Sequence, residues 1–353
     1  MKIAFYAPMK PADHPTPSGD REIARLTREA LSRGPFEPVT VSTLRTLDMA
    51  GSAEVQADLF AAAGEEADWL VETYSSSPPV LWFTYHCYYK APDLVGPVVA
   101  AALQIPYVIS EPSISPRRRT GGWAQFAAAS DAAISHADLL FWTTPRDLPE
   151  LQAAGHSGKL RHLPPFLEPG KAVGPSDCHE PIRLLTIAMM RPGAKLESYR
   201  RLAKALDHLD LRWELTVIGG GEEEATVNAL LDGHLDKVSF IGTVTDPNVI
   251  QAHLGQADLF VWPGVEEGVG LVWLEAQAAG VPVVAEDGPA ARHVISGGVL
   301  APPDHPAAFC EAIRTALRQH ADLAQRGRQH VTEKHSLDAA ARHLGTELMA
   351  LIS

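Results

Sequence analysis

Short apolar runs, each long enough for one β-strand, recur along this chain with helix-length stretches between them. In the first half they are Ile3 to Ala7, Pro38 to Ser42, Val80 to Tyr85, Pro106 to Ser110 and Leu139 to Thr143. In the second half they are Ile182 to Ala188, Trp213 to Ile218, Lys237 to Ile241, Asp258 to Trp262, Pro282 to Ala285 and Val299 to Ala301. Strands that alternate with helices need crossover connections, and crossovers build parallel sheets with helices on their faces. Between the two series, Pro164 to Pro181 is rich in proline and glycine and has no periodicity, which marks a linker. The pattern predicts an α/β chain of two tandem doubly wound, Rossmann-like domains, 1–170 and 171–335. The length of 353 residues agrees, because one hydrophobic core seldom organises so many. After Ser336, the residues Leu337, Ala340, Leu344 and Leu348 share one helical face, so 336–353 is expected to be a closing helix packed back on the first domain.

Bulk properties remove several classes of function. Hydrophobic residues make up 46% and charged residues 21%. The apolar runs fall far short of the ~20 residues that span a bilayer, so no integral membrane segment is expected. The N-terminus opens directly on a strand-like run rather than on a cleavable secretory signal. Cys87, Cys178 and Cys310 are scattered and odd in number, giving neither a disulfide framework nor metal-ligand spacing. A cytoplasmic location fits, and no metal is expected. A formal charge of −13 repels nucleic acid. The one basic run, Arg117-Arg118-Arg119, is short, and a peripheral visit to the inner face of a membrane stays open on it.

The segment from Trp262 to Ala285 carries the clearest chemistry. It reads as a strand end, a turn with Gly264, Gly268 and Gly270, a short helix and a further strand. Glu267 falls in the turn, and Glu275 follows eight positions later within the helix. The backbone N–H groups of Val269, Gly270 and Leu271 should lie unpaired at the helix tip, where anions bind. Bare amides for a phosphate, flanked by carboxylates that accept from hydroxyls, suit a diphosphate joined to a polyhydroxy ring.

Ligands of open α/β sheets bind outside the carboxyl ends of the strands, which selects the other candidates. After Ala188 the loop carries Arg191 and Lys195, a guanidinium fork and a compact ammonium that together suit a leaving group gaining negative charge. After Ile218 comes Gly219-Gly220-Gly221, either a place where backbone approaches a nucleotide or a plain flexible turn. The stretch Pro17-Ser18-Gly19-Asp20 opens an amphipathic helix, with Ser18 or Asp20 as its cap and Gly19 permitting close approach or an unusual φ. His86 stands just past a strand among aromatic residues, placed to touch a sugar or to pack as a structural histidine. Glu111, at the next strand end, is a further carboxylate. No Gly-x-Gly-x-x-Gly fingerprint, Gly-x-Ser-x-Gly elbow, His-Glu-x-x-His site or Walker loop occurs, which disfavours the corresponding enzyme classes.

From Glu267 to Ala285 the frame acidic-Gly-x-Gly-Leu-x-x-Leu-Glu-Ala-x-Ala-x-Gly-x-Pro-Val-Val-Ala resembles glycosyltransferase family 4, the glycosyl transferases group 1. The resemblance covers both domains and is strongest in the second. It implies a GT-B fold whose two domains face across a cleft. It also implies retaining, metal-independent transfer of a hexose-like sugar from a nucleoside diphosphate sugar to an acceptor hydroxyl, with no cofactor beyond that donor. By resemblance Glu275 accepts from the donor ribose and Glu267 lies beside the transferred sugar. Val269, Gly270 and Leu271 amides hold the diphosphate, Arg191 and Lys195 clamp it, and Gly19 approaches the donor phosphates. The acceptor is a glycan, a lipid-linked sugar or a small molecule. Three features depart from the family: Ser18-Gly19-Asp20 replaces a pair of glycines, no histidine stands at Ser110 to Ser113, and the Arg191 to Lys195 spacing is one residue short. A sugar-nucleotide epimerase and a non-catalytic GT-B scaffold subunit are the alternatives.

Overall fold

Strands of a fully parallel sheet are covered on both faces and so read as unbroken apolar runs, and the buried side chains of this chain follow that rule. The computed structural model describes residues 1–16, 18–170 and 178–353. Pro17, ahead of the first helix, and the linker residues Gly174-Pro175-Ser176-Asp177 lie outside the described residues. The chain divides into two units. Unit one is Met1–Pro164 with Leu337–Ser353, and unit two is Pro165–Ser336. The division therefore falls at Pro164, a few residues before the expected 170, and the final helix is counted with unit one.

In unit one the strands are β1 (Lys2–Tyr6), β2 (Glu37–Thr40), β3 (Trp82–Cys87), β4 (Tyr107–Pro112), β5 (Leu139–Trp142) and β6 (Leu160–His162). They form one parallel sheet in the order β2-β1-β3-β4-β5-β6. Strand β6 was not foreseen, because Leu160-Arg161-His162 has a single apolar residue. It is an edge strand with one partner, and all three of its residues keep partial exposure. Strand β3 runs two residues beyond the predicted Tyr85, so His86 is inside the strand rather than past it.

Ser18 caps the helix Gly19–Arg33: its hydroxyl accepts from the Arg21 amide at 3.2 Å. Asp20 is thereby released from capping. Gly19 is the first helical residue and has no positive φ, so the unusual backbone it was thought to permit is not used. A side chain at Gly19 would meet open space. The buried face of this helix includes Ala24, Leu26, Ala30 and Leu31. The closing helix Leu337–Ile352 packs against it, burying Leu337, Ala340, Leu344 and Leu348. Arg33 binds Asp338 at 2.7 Å and Arg161 binds Glu347 at 2.9 Å along the same helix.

Unit two holds β7 (Ile182–Ile187), β8 (Trp213–Ile218), β9 (Val238–Gly242), β10 (Leu259–Val261), β11 (Val283–Glu286) and β12 (Gly298–Ala301). Its parallel sheet has the order β12-β11-β10-β7-β8-β9. Read from the other edge, this is the doubly wound order 3-2-1-4-5-6, whose direction of winding reverses between β7 and β10. In unit one the reversal lies between β1 and β3. At each reversal the neighbouring crossovers depart to opposite faces, leaving a crevice beyond the carboxyl ends of the two strands.

The glycine run after β8 is explained by this edge. Gly219 and Gly221 have φ of 148° and 150°, and a Cβ at either would overlap the carbonyl oxygen of Ala188 or Met190. The Met190 amide donates to the Gly220 carbonyl at 2.9 Å, and the Glu223 amide to the Met190 carbonyl at 3.0 Å. The run is a rigid seat for the loop after β7, and not a flexible turn. Gly219→Ala combines backbone strain with overlap and should cost at least ~2 kcal/mol. Gly233→Ala, where a Cβ meets open space, is the control; the expected thermal midpoint falls for the first variant and holds for the second.

Candidate functional site

The two loops that border the unit-two crevice leave β7 and β10, and they carry Lys195 and Glu267. Lys195 stands in the first turn of the helix Ala194–Leu206 and donates to Glu267 Oε2 at 2.6 Å. The buried Trp262 indole donates to the same oxygen at 3.2 Å. Lys195 Nζ also lies 5.5 Å from the centroid of that indole ring, a cation–π distance. Both strands are tied together below the pair, where the Thr186 hydroxyl donates to the Val261 carbonyl. An ammonium and a carboxylate are thus held face to face across the switch point.

What holds the Glu267 turn is the indole of Trp273. Gly264 and Gly270 have φ of 73° and 74°, and a Cβ at either would overlap that buried ring. The segment Pro263–Gly270 wraps the Trp273 side chain closely enough that only glycine fits at both contacts. The far side of the turn is pinned to the Lys195 helix, because the Val265 amide donates to Ser198 Oγ at 2.9 Å. Sequence reasoning missed these supports. Trp262, Trp273 and Ser198 are ordinary core or helix residues until their contacts are seen.

The helix Leu271–Ala279 begins directly after Gly270. Its first accepting carbonyl is that of Gly270, which takes the Trp273 amide at 3.0 Å and the Leu274 amide at 3.4 Å. The amides of Val269, Gly270 and Leu271 precede that first turn, so the tip offers donors to an anion. Glu275 is the one residue of this helix whose side chain stays exposed; its neighbours are buried or half-buried. Solvent touches Glu275, yet surrounding protein strips enough water to push its carboxyl up to about 7. Arg191 is exposed, and among the described residues nothing joins its guanidinium to the Lys195–Glu267 pair. Gly219 and Gly220 border the same loop from the β8 side.

Unit one gathers a second set of titratable groups at its own strand ends. His86 in β3 and Glu111 in β4 both have left-handed backbone, with φ of 62° and 54°, which costs of order 1–3 kcal/mol each for residues other than glycine. The Glu111 carboxyl faces the buried Tyr85 hydroxyl at 3.4 Å. Burial pushes the Glu111 carboxyl up, with repulsion from Asp20 and Asp147 in the same direction. Asp147 accepts from Ser113 Oγ at 2.8 Å and Thr144 Oγ1 at 2.5 Å. Among the described residues, no three His, Cys, Asp or Glu side chains are arranged to hold a metal ion. No described helix is long and apolar enough to cross a membrane.

The raised carboxyl of Glu275 has a stability consequence of definite sign. Its folded-state value lies above its ordinary one, so the folded chain keeps the proton longer, and stability drains away as pH rises from about 4.5 to about 7. Glu275→Gln removes that loss. The variant should match its parent near pH 4 and exceed it at pH 8 in denaturant titrations.

Residues 181–319 match the family model described as Glycosyl transferases group 1. A phosphatidyl-myo-inositol mannosyltransferase of Mycobacterium leprae is 35% identical over 109 residues, 30% of this chain and 29% of that protein. The chain thus spans less than a third of that curated relative. Among solved structures, the sucrose-phosphate synthase of Thermosynechococcus elongatus superposes with a TM-score of 0.71 at 18% identity, covering 99% of this chain and 98% of the other. Anabaena Alr3699/HepE, solved in complex with UDP, gives 0.69 at 16% identity and covers 99% and 100%. These likenesses show the fold, two Rossmann-like domains of the GT-B class. The crevice residues of unit two fall inside the segment that matches the glycosyl transferases group 1 family model.

Proposed function

We propose that this chain is a retaining glycosyltransferase that moves a sugar from a nucleoside diphosphate sugar to an acceptor hydroxyl. The observation that carries the reading is the Lys195–Glu267 pair, held at 2.6 Å across the switch point of unit two beside a helix tip. An incoming diphosphate competes with Glu267 for the Lys195 ammonium. Once Lys195 turns to phosphate, Glu267 is free to accept from hydroxyls of the transferred sugar. The Val269, Gly270 and Leu271 amides meet phosphate oxygens, and Glu275 accepts from the ribose. The solved relative bound to UDP supports this choice of ligand.

In the proposed reaction the glycosidic C–O bond to the diphosphate breaks, and the sugar ring takes on oxocarbenium character. Lys195, Arg191 and the helix amides receive the charge that develops on the leaving oxygen, in the role a divalent cation would otherwise fill. The acceptor hydroxyl attacks from the face the diphosphate leaves, and its proton passes to a phosphate oxygen. Retention is carried over from the family whose model residues 181–319 match. Fixed donors aimed at developing charge are the largest contribution such a site makes. A cytoplasmic setting is part of the proposal, supported by the odd number and scattered spacing of Cys87, Cys178 and Cys310.

Thermal-shift measurement with a panel of nucleoside diphosphate sugars tests the donor class, since a ligand that favours the folded state raises the midpoint. No rise with any member refutes it. Lys195→Ala and Arg191→Ala should each lower turnover by roughly a hundredfold, about 3 kcal/mol of barrier, with unchanged circular dichroism. Turnover equal to the parent in both would remove the clamp. In calorimetry with the free nucleoside diphosphate, Glu275→Ala should bind more weakly than the parent, and equal affinity would dismiss the ribose contact.

A further inference from the structure

Unit one has its own reversal of winding, between β1 and β3, and an imidazole–carboxylate pair spans that one. His86 Nδ1 lies 3.4 Å from Asp20 Oδ1. Asp20 belongs to the first turn of the helix that follows β1, and His86 to the carboxyl end of β3. His86 Nδ1 is buried and makes no hydrogen bond among the described residues. The ring is stacked on Tyr88 with centroids 4.7 Å apart, which fixes its plane. Among the described residues Nδ1 has Asp20 as its ion-pair neighbour and no hydrogen-bond partner, so a proton on Nδ1 serves the carboxylate. The opposite nitrogen, Nε2, is then directed away from Asp20.

We propose that Asp20 is a positioning residue: it keeps His86 as an oriented imidazolium whose Nε2–H donates to a hydroxyl of a sugar bound at the unit-one switch point. The inference rests on the glycosyltransferase reading and adds a residue to it. Three carboxylates act on the ring in the same direction. Burial by itself draws the His86 pKa down, but Asp20, Glu111 from β4 and Asp147 from the segment after β5 together raise it above its ordinary value. The same contact with His86 holds the Asp20 carboxyl below its usual range, with Lys10 adding a smaller pull. Tyr85 and Tyr88 also adjoin the ring, and burial pushes both hydroxyls up, far from titration near neutrality. A neutral imidazole holds one proton, which Asp20 claims for Nδ1; only the imidazolium has a second for a ligand.

Side-chain NMR titration of the His86 ring, assigned by its loss in His86→Gln, tests the pair without any ligand. The parent should titrate above the ordinary histidine midpoint. Asp20→Asn should lower that midpoint by about one pH unit, which is tenfold less imidazolium on the alkaline side, and Asp20→Glu should restore most of it. An unchanged midpoint in Asp20→Asn overturns the proposal. In sugar transfer, activity should fall as pH rises through the His86 midpoint, and in Asp20→Asn that fall should begin about one unit lower. A limb that moves in kcat/KM for the donor assigns the hydroxyl to the transferred sugar, and one that moves only for the acceptor assigns it to the acceptor. An alkaline limb that stays fixed while the NMR midpoint moves overturns the role in transfer. If no nucleoside diphosphate sugar binds the parent, the glycosyltransferase reading fails by itself, and the titration still decides whether Asp20 governs His86.

Discussion

In a sheet whose strands all run the same way, every loop leaving a carboxyl end emerges along one edge, and one reversal of winding parts the helices there. That constraint decides where chemistry can gather in each unit of this chain. In unit two it brings the loop after β7 beside the loop after β10, although more than seventy residues separate Lys195 from Glu267 in the sequence. In unit one it brings the start of the first helix beside the end of β3, joining Asp20 to His86. Both units therefore place a basic and an acidic side chain at the same topological position. The parallel is internal to each unit and follows from the order of its strands.

Maintaining charge at those edges opposes stability. Glu275 and Glu111 carry carboxyls raised by loss of water, His86 and Glu111 hold strained backbone, and the Trp273 indole N–H is buried without a partner among the described residues. An unpaired buried donor costs about 1–3 kcal/mol. The cores offset these terms. Large apolar side chains such as Trp82, Phe83, Phe141, Phe260, Trp262 and Trp273 are almost wholly excluded from solvent. A chain that kept only what stabilises it would replace these strained and desolvated groups, so their presence at the switch points is consistent with selection for binding.

Much of the site was legible because its signals are local. A carboxylate in a turn, glycines before a short helix and a second carboxylate eight positions on are read from adjacent residues, and so is the helical face of Leu337 to Leu348. What escaped notice depended on distant contacts. Strand β6 has too little apolar character to declare itself and exists because β5 offers an open edge. Gly219 and Gly221 looked like flexible turn residues, yet the loop after β7 lies against them. Asp20 read as a possible helix cap, and only the position of β3 gives it His86 as a neighbour.

The sequence by itself determined the alternation of strand and helix, the division into two doubly wound units, and the family frame around Glu267 and Glu275. These follow from periodicity, turn chemistry and composition, which are properties of neighbouring residues. The tertiary structure decided which of the candidate charges meet. It paired Lys195 with Glu267, left Arg191 exposed, set Glu275 where solvent and desolvating protein both reach it, and turned Asp20 toward His86. Those outcomes depend on strand order and on the few ångströms between facing side chains, and the energy of a charge falls too steeply with distance and surroundings to be read from spacing along a chain.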